Sequence, residues 1–273
     1  MRKVASPPIL LLMLVAGVLL TGCDTLQARM ELNKGNSYYK NEKFKDALIQ
    51  FQKGLALDPS LKFAWRSVAL SAMTLYRPGV DDPENNRYYS TAIDAFKKYL
   101  AAFPDDQKAQ EFMISTYMNA NKFDDVLNYL KEAVRKNPGD VKSNKAIVTI
   151  FLRTQRIQEA YDWIVSHIPK ADAEPYYLVS VYCWDKAYRD PSITPQQRTS
   201  FVELGLTSAD KALQMQPEYF DAMIYTNLLY REKAKLQTTE AAKQQYFDKA
   251  DEWRTKALAL REKLKKQTSL AKS

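Results

Sequence analysis

Histidine is almost missing from this chain: His167 is the only one in 273 residues. A zinc site of the H-E-x-x-H kind needs two, so that chemistry is excluded. Glycine is scarce too, seven in all, and Gly35, Gly54, Gly79 and Gly139 stand isolated. No glycine-rich loop is therefore available to cradle a phosphate, and a fold full of tight turns is disfavoured. No stretch reads as a strand. Cysteine occurs only as Cys23 and Cys183, which leaves no disulfide framework to substitute for packing. These absences point to a non-enzyme, with no catalytic residue, metal site or cofactor. His167 reads as a capping or surface residue near a helix end. An enzyme working through surface carboxylates is the weaker rival, and it would need a cleft holding a pair of perturbed acids.

What is present begins with MRKVASPPILLLMLVAGVLLTGCDT. Arg2 and Lys3 give a positive start, and Val4 to Gly22 carry no charge. Pro7 and Pro8 shorten the apolar run to Ile9–Gly22, 14 residues, which suits a secretory signal better than a span of about 20. Leu20-Thr21-Gly22-Cys23 resembles the lipobox of bacterial lipoproteins. That resemblance implies cleavage after Gly22 and a lipidated Cys23 as first residue of the mature chain. Two or three acyl chains at about 0.8 kcal/mol per methylene would hold it firmly in a bilayer. The alternative is an uncleaved transmembrane helix with a chance cysteine. With Cys23 acylated, Cys183 has no partner in the chain. The implied location is the bacterial cell envelope, with the domain in the periplasm. Asp24 resembles an inner-membrane retention signal.

The prolines carry a repeat. Pro59, Pro104, Pro138 and Pro217 each follow an apolar helical pattern, at spacings of 45, 34 and 79. A 34-residue unit with two insertions of 11 accounts for all three. In the unit starting at Ala28, Gly35, Tyr38, Ala47, Phe51, Gly54 and Pro59 fall where the tetratricopeptide repeat carries its signature residues, and the unit resembles that family. The units run 28–61, 62–106 with an insertion at 77–87, 107–140, a degenerate 141–172, 173–219 with an insertion at 189–198, and 220–273. A signal peptide, 1–22, and a lipidated tether, 23–27, precede them.

The resemblance implies an all-α fold: a right-handed α-solenoid of about six helix hairpins closed by a long C-terminal capping helix. Small residues at Gly35, Ala47 and Gly54 let paired helices approach, and each proline ends a helix. Cys183 falls on an inter-helix packing position. The periodicity predicts twelve helices, at about 26–41, 44–57, 62–76, 85–102, 107–120, 123–136, 141–153, 156–167, 174–188, 195–215, 218–236 and 240–268. The insertions RPGVDDPENN and RDPSITPQQR interrupt the turns inside the second and fifth units. They are either binding elements or tolerated extra turns, since longer loops cost little.

In tetratricopeptide arrays the first helix of each unit lines a groove. The family positions translate here to Asn36 and Tyr39, Phe63 and Arg66, Lys108, Lys142 and Lys145, then Tyr177 and Trp184. Aromatic and cationic groups of this kind suit a protein or peptide segment of acidic character. The layout is similar to pilus-secretin assembly lipoproteins, and less closely to those of outer-membrane barrel assembly. The expected function is a non-catalytic, membrane-anchored scaffold that binds a protein segment in assembly of an envelope complex. Neither nucleic acid nor a small-molecule substrate is an expected partner. Lys249–Ser273 carries eight basic and three acidic residues, so a membrane-surface tether through the last helix is the alternative.

Overall fold

The computed structural model describes residues 8–168 and 172–270, with side chains described for 24–168 and 172–268. Cys23, expected to be lipidated, and the signal segment expected before it lie outside the residues whose side chains are described. All regular structure among the described residues is helical. The elements are α1 (Pro8–Lys40), α2 (Phe44–Leu57), α3 (Ala64–Leu75), α4 (Pro83–Ala102), α5 (Gln107–Asn119) and α6 (Phe123–Lys136). They continue with α7 (Val141–Arg153), α8 (Ile157–His167), α9 (Glu174–Arg189), α10 (Pro195–Met215), α11 (Phe220–Lys235) and α12 (Glu240–Leu270). No described helix is long and apolar enough to cross a membrane.

The helices divide into two compact units, Met1–Val126 and Leu127–Ser273, with the division inside α6. Within each unit helices pack on their chain neighbours, the pattern of an α-solenoid. In the first, α1 pairs with α2 and α3 with α4, while α2 packs on α3 and α4 on α5. In the second, α7–α8, α9–α10 and α11–α12 pair as hairpins, and α9 also touches α7 and α11.

The close approaches are built where small residues sit. A methyl group added at Gly35 would stand 2.6 Å from the Phe51 ring, and one at Gly54 would stand 2.7 Å from Leu32. Phe51, Ala47 and Leu32 are correspondingly buried. Stacked hairpins share such faces, because one hairpin alone leaves its apolar stripe in water.

The repeat is also visible in the backbone. Glu42, Asn121 and Gln155, 79 and then 34 residues apart, all take left-handed conformations with φ of 59°, 54° and 60°. Each closes a first helix with the same bond across the turn: Lys43 N–H to Tyr38, Lys122 N–H to Tyr117, and Arg156 N–H to Phe151, at 2.9, 3.0 and 2.8 Å. This is the left-handed helix stop that glycine usually supplies. Ahead of Pro59, Pro104 and Pro217, the residues Asp58, Phe103 and Gln216 share φ values of −136°, −133° and −133°. Proline forces its predecessor out of the helical region, which ends the second helix of each unit.

Two of the boundaries that differ from the sequence reading have a local physical cause. α1 starts at Pro8 rather than near residue 26, so residues 24–27, expected as a tether, are helical. α4 starts at Pro83 because Asp82 accepts the Asn85 N–H and proline is favoured at the first helical position.

Candidate functional site

In the first unit, the expected groove residues sit on α1, α3 and α5. Asn36 and Lys108 are exposed, as is Phe63 just ahead of α3. The Tyr39 ring meets Phe44 edge-on, 5.1 Å between centroids, so it helps close the α1–α2 turn. Arg66 pairs with Asp106 at 3.4 Å. Asp106 is fully employed: it accepts the Ala109 N–H at 3.0 Å and the Tyr99 hydroxyl at 2.8 Å. Those bonds, the backbone one foremost, hold its carboxyl below the usual range. Beneath this surface Tyr76, Tyr89 and Tyr117 form a chain of rings, and burial pushes the Tyr89 hydroxyl up to about 12. A cavity of about 430 Å³ lies between α2, α3 and α4, where the Lys98 ammonium sits 4.1 Å from the Trp65 ring centre.

In the second unit, Lys142 is exposed in the first turn of α7. One turn on, Lys145 reaches across to Asp172 at 3.0 Å and Glu174 at 3.1 Å. The bond to Asp172, then that to Glu174, raises its pKa. Arg66 and Lys145, expected to meet an acidic partner, are thus both matched by carboxylates of the chain itself.

Tyr177 and Trp184 are brought together by a residue that the repeat positions do not include. Tyr225 of α11 meets Tyr177 edge-on at 5.8 Å and Trp184 edge-on at 5.6 Å. Tyr219 packs on Tyr177 at 5.0 Å, and Tyr188 stacks on Trp184 at 5.0 Å and 10°. The order Tyr219, Tyr177, Tyr225, Trp184, Tyr188 is a continuous ladder along α9 and α11. None of its rings is fully buried, and Tyr188 is 55% exposed. The Trp184 indole N–H is buried without an acceptor.

Charge changes along the ladder. Burial, then Asp221, pushes the Tyr177 hydroxyl up to about 12. Burial, followed by Glu174, Asp221 and Asp172, raises that of Tyr219. At the other end the Arg189 guanidinium lies 5.8 Å from Trp184 and the Lys235 ammonium 5.2 Å from Tyr188. One signal for Tyr188 was legible: four residues after Trp184 on one helix, it shares that face. Tyr219 and Tyr225 carried none, because they join only when α11 packs on α9.

The residues weighed for chemistry are placed as structural groups. Cys183 is wholly buried, which pushes its thiol up, away from the reactive thiolate. His167 stacks on Trp163 at 3.7 Å, at the end of α8. Among the described residues no cluster of His, Cys, Asp and Glu could hold a metal ion.

No known family profile matches the chain, and no curated protein matches it. Solved structures do. YrrB, described as a tetratricopeptide protein with an unusual peptide-binding site, shares 20% identity over 71% of this chain and 88% of its own, with a TM-score of 0.38. MamA from Desulfovibrio magneticus RS-1 shares 14% identity over 87% of this chain and 96% of its own, with a TM-score of 0.32.

Proposed function

We propose that this chain is a non-catalytic tetratricopeptide scaffold that binds an extended protein segment along the α9–α11 aromatic ladder. The carrying observation is five partly exposed rings in unbroken contact on one unit. Aromatic rings supply large contact area at small conformational cost and are the commonest anchors of protein interfaces. The ladder lies on first helices of its repeats, the helices whose positions in this family line a groove. The test is capture of partners by crosslinking from native membranes, comparing the wild type with a Trp184→Ala, Tyr188→Ala variant. Loss of a dominant partner with helical circular dichroism unchanged supports the ladder; undiminished capture rejects it.

The same proposal places the scaffold on a membrane through acylated Cys23, facing the periplasm, in assembly of an envelope complex. Its support is the lipobox-like LTGC after an uncharged segment. Mass spectrometry of the purified protein should find an N-terminal Cys23 bearing diacylglyceryl, and Cys23→Ser should shift the protein from the membrane to the soluble fraction. An intact Met1 terminus, or a serine variant still membrane-bound, would remove the anchor.

A further inference from the structure

The 189–198 insertion is a built structure. Asp190 accepts both the Ser192 N–H at 2.8 Å and the Ser192 hydroxyl at 2.6 Å, and it pairs with Lys186 at 2.6 Å. Thr194 and Gln197 cap α10 reciprocally, with Pro195 at its start. Arg198 then donates to the Asp190 carbonyl at 3.0 Å, which ties the start of the loop to the first turn of α10. Between the loop and the end of α11 lies a cleft of about 620 Å³ lined by Tyr188, Ile193, Pro195, Arg198, Lys235 and Leu236, with Glu232 at its wall.

Three charges face this cleft, and two cancel. Glu232, 5% exposed, takes the Lys235 ammonium at 2.6 Å. Arg198 is half-buried, and among the described residues no carboxylate pairs with it; its hydrogen bond goes to a backbone carbonyl. Removing a guanidinium from water without a counter-charge is unfavourable, and its planar fork matches a carboxylate. Tyr188 is both the last ring of the ladder and part of the cleft lining.

We infer that this cleft binds a carboxylate carried by the segment that lies on the ladder, with Arg198 as its counter-ion. The assignment rests on the ladder being a binding surface. It also gives the segment a direction. At the Tyr177–Tyr219 end the carboxylates Asp172, Glu174 and Asp221 outnumber Lys145, which pairs with the first two, so basic groups of the segment belong there and the acid belongs beside Arg198. Tyr177 to Tyr188 spans roughly 16 Å of helix, about five extended residues. The carboxylate is therefore either a C-terminus or an acidic side chain about five residues after the basic end. Ile193, Pro195 and Leu236 offer apolar contact to the residue that bears it.

The probe is an immobilised library of peptides of about six residues in three forms. One has a free C-terminal acid and no Asp or Glu; one is amidated with an internal Asp or Glu; one is amidated and has neither. The wild type should retain the acid-bearing forms, and Arg198→Gln should lose roughly tenfold or more in affinity for them. Preference for the first form identifies a chain terminus, and preference for the second identifies a side chain. Arg198→Lys keeps the charge without the fork and should retain part of the affinity. If it falls as far as the Gln variant and both melt early, the loop contact to Asp190 is what matters, and the inference fails. It fails too if Arg198→Gln binds like the wild type, or if the amidated neutral form binds equally well. In those cases a Trp184→Ala, Tyr188→Ala variant that loses all binding leaves the ladder standing. Absence of any binding by the wild type rejects both.

Discussion

Asp106 concentrates three duties in one carboxylate: cap of α5, acceptor for Tyr99 and partner of Arg66. Each favours the ionised form, so its folded pKa is lowered. A lowered carboxylate stabilises the fold above its unfolded pKa of about 3.9, and that stability is lost as pH falls through the folded value. Asp106→Asn keeps an N-cap acceptor but removes the charge that Tyr99 and Arg66 meet, and should therefore cost roughly 0.5–1 kcal/mol at pH 7. The gap between variant and wild-type melting temperatures should close near pH 3, and a constant gap would mean that charge is not involved. Some of this residue-scale detail was legible and some was not. Asp106 and Asp140 stand 34 apart, each two residues after a repeat proline, yet their capping role appears only with the helix starts in place. Gly205 falls twelve residues before Pro217, as Ala47 does before Pro59, so its smallness was there to be read. What it admits was not: a methyl group there would stand 2.8 Å from Leu229 and 2.9 Å from Cys183.

Among elements, the helices were the most legible feature. Apolar spacing located α2, α6, α7 and α10 to the residue, and in α2, α6 and α10 a repeat proline follows closely and names the helix end. The turns were less so, since Glu42, Asn121 and Gln155 are not residues that announce a left-handed conformation. Exposed Gln155 bears the steric cost of φ 60° without a glycine's freedom. Gln155→Gly should raise the stability of the second unit by roughly 0.5–1 kcal/mol, seen as a higher melting temperature. A lower one would show that the Gln155 side chain does something the turn needs. The two insertions replace this turn altogether. Each lengthens the helix that follows, to 20 residues in α4 and 21 in α10, and each opens that helix with a cap and a proline. In the first, the buried Asn85 amide holds both the Arg77 and Val80 carbonyls, so the loop is pinned from within. The sequence left extra turns and binding elements as open alternatives. The 189–198 insertion forms one wall of a cleft, and that depends on α11 arriving beneath it.

At the scale of the whole molecule, the repeat arithmetic carried the fold class, because 34-residue hairpins must stack to bury their faces. The proposed binding surface was only half legible. Tyr177 and Trp184 were reached through repeat positions, whereas Tyr219, Tyr225 and Arg198 belong to the surface through packing between units of the repeat. Two of the four groove cations expected to attract an acidic partner, Arg66 and Lys145, turn out to be matched internally. Arg198, within the insertion, faces the cleft with only a backbone carbonyl as its hydrogen-bond partner among the described residues. The central proposal is that the α9–α11 ladder holds a protein segment. It is tested most directly by crosslinking from native membranes with the wild type and the Trp184→Ala, Tyr188→Ala variant in parallel. One dominant protein should be lost from the variant while its helical circular dichroism is unchanged. Recovery of the same proteins at the same yield by both would contradict it.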